Sequence, residues 1–298
     1  MTDETPDATA PIADKKPPIA SKSSMAMRRD MVLRIAFGLA ILVPIWFVGA
    51  ALGTKFGIWG WKFGLGLMTI KIGPLLIFAT LIIAIVGLVL MLIARPFAGW
   101  KLGLIALIIP AIALSQVMAI KARNAGIPPI HDISTDPQNP LQFSTQTLQM
   151  RIAQGETNPI VAPTLTPTPT SPNKPSRFAS LSVAQSQRLA YPTIAPLIVS
   201  GKTVAQVGEA AKSAAHGLGL VTIKSEDCDC GAGSFTNIEA TATTFWFGFK
   251  DDVAISVKPQ GNDVRVDVRS VSRVGTSDLG ANAKRVEALL KAIRAKTD

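Results

Sequence analysis

Residues 245–280 read FWFGFKDDVAISVKPQGNDVRVDVRSVSRVGTSDLG, and two alternating segments inside them decide the fold. Over 252–258, Val253, Ile255 and Val257 fall on one face of a strand, and over 264–271, Val264, Val266 and Val268 do the same. The tetrapeptide Gln260, Gly261, Asn262, Asp263 between them has the chemistry of a tight hairpin. The pattern predicts an antiparallel meander with one apolar face, its other face carrying Arg265, Asp267 and Arg269. A sheet with a single apolar face must be covered.

Two helices are available as cover. Thr203 can cap a helix over 203–217 whose face is Val204, Val207, Ala211, Ala214 and Ala215, with Gly217 as the left-handed terminator and His216 favoured by the dipole of the last turn. Over 279–295, Val286, Leu289, Leu290 and Ile293 form a stripe, Ser277 or Asp278 can cap, and Lys291, Arg294 and Lys296 suit the C-terminal end. Strands are expected from 220 and over 238–243, and 190–199 enters as an extended segment. The predicted domain, 178–298, is therefore a small α+β domain in which an antiparallel β-meander is covered by two helices.

Working outward, the N-terminal half is of another kind. Residues 1–30 are polar and rich in Pro, Ala, Ser and Thr, and read as a disordered cytoplasmic tail. Three apolar runs follow within 31–123, at about 35–52, 72–94 and 102–120, each long enough to cross a hydrocarbon core of roughly 30 Å. A signal peptide is the alternative reading of the first run, but two further runs follow it. None of the three contains a carboxylate or histidine, as an ion or proton pathway usually requires, so they read as an anchor.

Charge gives the orientation. Of 30 Lys+Arg, 13 lie before residue 124 against 5 acidic residues, and the remaining 17 face 15 beyond it. The basicity thus belongs to the membrane half, which argues against a nucleic-acid partner. Lys15, Lys16, Lys22, Arg28, Arg29, Arg34, Arg95 and Lys101 lie on one side of the spans, and Lys55, Lys62, Lys71, Lys121 and Arg123 on the other. By the positive-inside rule the N-terminus is cytoplasmic and the soluble domain lies outside. Trp46, Trp59, Trp61 and Trp100 sit near span ends or in the 53–71 loop, where indoles favour the interface.

Residues 124–177 read as an extended, Pro-rich connector. His131 beside Asp132 and Asp136 lacks the ligand number of a metal site, and Asp132, Ser134 and Asp136 read as Asx-type turn residues. Cys228 and Cys230, in SEDCDCGAGS, admit three readings: soft-metal ligands beside nearby acids, a disulfide, or a hairpin tip marked by Gly231 and Gly233. Phe245, Trp246, Phe247 and Phe249 read first as core packing, with an apolar-ligand pocket or a loop dipping into lipid as the alternatives.

The chemistry-bearing candidates are Lys250, Asp251, Asp252, Arg269, Ser270, Ser272, Arg273, Ser277 and Asp278. As a polar site, the two aspartates would serve as acid and base, a serine as hydroxyl and an arginine as anion holder. No histidine or GxSxG elbow accompanies them. As a structural network, Arg273 would pair with Asp251 or Asp252 while Asp278 starts the last helix.

IEATATTFWFGFKDDVAISV and VDVRSVSRVGTSDLGANAKRVEALL, preceded by AYPTIAPL and PPIHDISTD after three spans, resemble the domain-of-unknown-function family numbered 1499 in its membrane-anchored version. The likeness covers roughly residues 30–295. It rests on the nine candidates together with Gly275, Gly280, Asn282 and Arg285, and CDCGAG departs from the family's usual shorter hairpin. The resemblance implies a membrane-associated bacterial protein and supplies no activity. The expectation is an inner-membrane protein presenting a periplasmic binding or scaffold domain. Its partners would be the lipid bilayer and a membrane or periplasmic protein, with no cofactor. A membrane-anchored hydrolase-like enzyme using the polar cluster, and a lipid or apolar-ligand binding module, are the alternatives.

Overall fold

The computed structural model describes residues 24–94, 98–155, 157–169 and 176–298. Three stretches of helix are long and apolar enough to cross a membrane: α1 (Ser24–Lys55), the continuous Lys62–Ile93, and α3 (Trp100–Asn124). The middle one begins as a π-helix over Lys62–Ile72 and continues as α2 (Gly73–Ile93). All three start before the apolar runs do. Residues 24–30, expected in the tail, are helical, and buried Arg29 donates to the Asp30 carboxylate at 2.7 Å and to the Ala94 carbonyl at 3.0 Å. Residues 1–23 and Arg95 lie outside the described residues.

The chain divides into two compact units, one ending at Val43 and resuming over Leu76–Ala111, the other made of Pro44–Leu75 and Ile112–Asp298. In the first, Ala36, Ala40, Ala84 and Ala106 are fully buried against one another. Lipid gives helices no hydrophobic reason to associate, so close approach through small side chains holds them instead. Ile82, Ile85 and Leu92 remain exposed.

The second unit contains a six-stranded, wholly antiparallel sheet ordered β1-β6-β5-β4-β3, with β2 pairing along another part of β6. The strands are β1 (Asp132–Ser134), β2 (Leu197–Ser200), β3 (Val221–Cys228), β4 (Phe235–Thr243), β5 (Lys250–Gln260) and β6 (Asp263–Ser272). The β5–β6 hairpin turns where expected, with Gln260 opposite Asp263 and Gly261 at φ 63°. Val253, Ile255, Val257, Val264, Val266 and Val268 all point to one face. There α6 (Val204–Gly217), through Val207, Ala211 and Ala214, and α7 (Ala281–Thr297), through Val286, Leu289 and Ile293, complete the core. Thr203 and Gln206 form a capping box on α6. The left-handed terminator is Gly219 (φ 73°) rather than Gly217, because Leu218 still bonds back to the Ala214 carbonyl at 3.1 Å.

Residues 132–169 of the expected connector over 124–177, apart from residue 156, form part of this domain, and residues 170–175 lie outside the described residues. The connector supplies β1, then α4 (Thr145–Ala153), and residues 157–168 run along the sheet to a bridge between Pro167 and Ser182 at the start of α5 (Val183–Ala190). The physical reason lies in the sheet's second face. It carries Ala254 and Val271, which need a cover and receive it from Phe143, Leu141 and Ile160. Proline-rich chain suits that task, having few N–H groups to satisfy. Ser144 caps α4 and also donates, with Thr147, to the Glu239 carboxylate on β4.

Candidate functional site

Strand alternation sends six of the nine sequence candidates to opposite sides of one sheet. Asp251, Ser270 and Ser272 lie on the α7 side, whereas Asp252, Arg269 and Arg273 lie on the side covered by α4 and the proline-rich run. These six therefore form two clusters separated by the sheet, while Ser277 and Asp278 lie beyond β6 at the start of α7 and Lys250 is exposed.

On the α4 side, Asp252 is fully buried between two guanidinium groups. Arg151 donates to Oδ2 at 2.6 Å, and Arg273 donates through Nε to both oxygens at 3.1 and 3.0 Å and through Nη2 to Oδ1 at 2.7 Å. Thr241 adds a hydroxyl bond at 3.1 Å. A neighbouring pair joins Arg269 to Asp132 at 3.1 and 2.6 Å, and Arg269 also donates to the Leu141 carbonyl at 2.7 Å beside the Phe143 ring. Asp132 is thus the partner of a buried arginine rather than the expected turn residue. Asp136 does form the turn, accepting from the Gln138 and Asn139 amides. Each charge here is offset within the fold, as burial requires.

On the α7 side, Asn282 is the hub. It accepts from the Ser270 hydroxyl at 2.7 Å and donates through Nδ2 to the Ser272 hydroxyl at 2.9 Å and the His131 carbonyl at 3.0 Å. Arg285 joins the Asp251 carboxylate (2.7 Å), the Ser270 hydroxyl (2.9 Å) and Asn282. Asp278 accepts the Gly280 and Asn282 amides at 2.8 and 3.0 Å, holding the first turn of α7, and Ser277 accepts from the Leu279 amide. Burial pushes the Asp278 carboxyl up while those two amides pull it down. Lys250 is exposed, and its carbonyl accepts the Arg273 amide.

Among the described residues, two buried polar atoms nearby, His131 Nδ1 and the Tyr191 hydroxyl, have no hydrogen-bond partner. Burial holds His131 below its usual value against the upward pull of Asp132, and burial beside Asp278 and Glu287 pushes Tyr191 up to about 12. His131 borders a cavity of about 90 Å³ lined by Pro129, Pro159, Val161, Pro163 and Val183. Among the described residues, no group of three His, Cys, Asp or Glu is placed to hold a metal. Cys228 and Cys230 are paired at the β3–β4 tip.

Two features are open to the outside. A cleft of about 560 Å³ lies between the start of α6, the β3–β4 tip and the β5–β6 turn, lined among others by Lys202, Glu209, Asp227 and Asp263. At the other end of β4, the aromatic turn is not core: Phe245 and Trp246 are 73% and 54% exposed, while Phe247 stacks on Phe249 with centroids 5.2 Å apart.

Arg151, Glu239 and Asn158 escaped the sequence reading. Arg151 and Asn158 come from the connector, and Glu239 is one polar residue among several on its strand. Asn282 and Arg285 were visible only as motif positions.

Comparison with known families finds a match over residues 132–293 to a family described as "Protein of unknown function (DUF1499)". The matched segment runs from the first residue of β1 into the last turns of α7. No curated protein matches the chain.

Proposed function

The chain belongs to the DUF1499 family, and from that premise we propose that it is a membrane-tethered binding module, presenting its α+β domain on the periplasmic face of a bacterial inner membrane. The observation that carries this reading is the internal pairing of the polar cluster. Asp252 is held by Arg151 and Arg273, Asp132 by Arg269, and Asp251 by Arg285. Carboxylates locked into buried ion pairs on opposite faces of a sheet are poor general acids and bases, since catalysis needs a group free to exchange protons with a substrate. They are well suited to fixing a rigid platform.

The open cleft gives a partner room. It sits at the start of β4 and end of β5, opposite the end at which Lys55, the last residue of α1, donates to the Phe245 carbonyl at 2.8 Å. The nine residues of β4 place the two ends roughly 25–30 Å apart at ~3.3 Å per residue. The domain would thus hold its cleft away from the bilayer.

The test is photo-crosslinking in cells expressing the full chain with a photoreactive residue at Lys202 or Asn262, combined with a C-terminal alkaline phosphatase fusion. A discrete crosslinked partner and an active fusion are expected. An inactive fusion with a fluorescent cytoplasmic counterpart, or no crosslink from either position, would overturn the reading.

A further inference from the structure

We propose that the Phe245–Phe249 turn is a second membrane contact, seating Phe245 and Trp246 in the interfacial region of the leaflet at which α1 ends. Three independent observations converge on the bilayer as occupant. The first is exposure. Phe245 and Trp246 stand out from a turn tip, edge to face with centroids 5.2 Å apart, where a water-facing domain would place polar residues.

The second is rigidity. The Thr244 amide donates to the Phe249 carbonyl at 2.8 Å, the Phe249 amide to the Thr244 hydroxyl at 2.9 Å, and Gly248 takes φ 68° to close the turn. Phe247 and Phe249 stack beneath. The two exposed rings are therefore presented in a fixed position, with little ordering left to lose on contact.

The third is position. Lys55 donates to the Phe245 carbonyl at 2.8 Å and its ammonium lies 4.8 Å from the centre of the Phe245 ring. Gly248 approaches so closely that an added Cβ would meet the Lys55 Cα at 3.1 Å. The apolar run of α1 ends near Leu52, so Lys55 is less than one turn beyond it, where a lysine reaches the headgroups. Phe56 and Ile58, immediately after it, are each 71% exposed. The apolar surface of the span thus passes through Phe56 and Ile58 to the aromatic turn, and whatever solvates the end of α1 reaches Phe245 and Trp246. Indole and phenyl rings beside a lysine are the side chains that favour this interfacial layer.

The test uses the full chain in vesicles of phosphatidylethanolamine and phosphatidylglycerol. A nitroxide is attached at Trp246→Cys, and separately at Asn262→Cys on the β5–β6 turn, in a Cys228→Ser, Cys230→Ser background. Collision rates are measured with oxygen, which concentrates in lipid, and with a water-soluble nickel chelate. The expected result is an oxygen-to-nickel ratio several-fold higher at 246 than at 262. Equal ratios would overturn the proposal, and so would protection from both reagents, which would point to a second copy or another protein over the turn. If the serine background does not fold, tryptophan emission of the native chain is compared with Trp246→Phe. The emission lost in that variant should be quenched by brominated lipid and spared by iodide, and the reverse would overturn the proposal.

Discussion

Arg273 clasps both oxygens of Asp252 through three hydrogen bonds of 2.7 to 3.1 Å, with Arg151 adding a bond of 2.6 Å to Oδ2. All three side chains are buried, so the cluster ties β5 and the end of β6 to α4 where neither water nor counter-ions can substitute.

Arg273→Ala should therefore act on folding. Removing one partner of a buried ion pair costs about 3–5 kcal/mol, and the Gln154 side chain would lose its bond to Arg273 as well. The full chain in detergent should show a lower urea midpoint for proteolysis of the domain. Arg273→Lys should recover only part of the loss, because an ammonium cannot reproduce the fork. If both variants keep the wild-type midpoint, the pairing has another role.

This cluster also marks how far the sequence could be read. Alternation from Val253 to Val268 announces the strands and the helix-covered face, and the same parity separates Asp251 from Asp252. The partners were hidden, because Arg151 and Asp132 lie about a hundred or more positions from Asp252 and Arg269, and long-range pairing leaves no local pattern. The prolines of 124–177 report extended chain equally whether it spans solvent or lies on a sheet. What distinguishes the two is the demand of Ala254 and Val271 for cover, a property of the assembled sheet.

His131 should make the domain acid-sensitive below pH 6.5. Burial lowers its folded value from 6.5, Asp132 and Asp251 pull it up, and Arg151 pushes it down. Between the folded value and 6.5 the unfolded chain binds a proton that the folded domain refuses, so stability is full above pH 6.5 and falls as pH drops through the window, by about 1.4 kcal/mol per unit of depression. Asp278, whose value is raised above 3.8, contributes with the opposite sign, the stability it confers falling as pH rises above 3.8. Melting curves of the full chain from pH 7.5 to 5.5 should therefore decline, and those of His131→Asn should be flatter. Parallel slopes would remove His131 as the cause.

The start of α7 offers a test in which two adjacent substitutions move stability in opposite directions. Leu279 and Gly280 both take left-handed backbone, φ 53° and 82°, so that Asp278 can receive the Gly280 and Asn282 amides. Glycine adopts this conformation without strain, whereas a residue with a Cβ is strained by about 1–2 kcal/mol. Gly280→Ala incurs that strain and sets a methyl 3.3 Å from the Tyr191 hydroxyl and 3.4 Å from Ile127 Cδ1, so the unfolding midpoint should fall. Leu279 already bears the strain while its side chain is 49% exposed. Leu279→Asn should relieve part of it, since asparagine tolerates the left-handed region, and raise stability by up to about 1 kcal/mol. Denaturation of both variants beside the wild type should bracket it, and two shifts of the same sign would mean that the turn is held by something other than its backbone geometry.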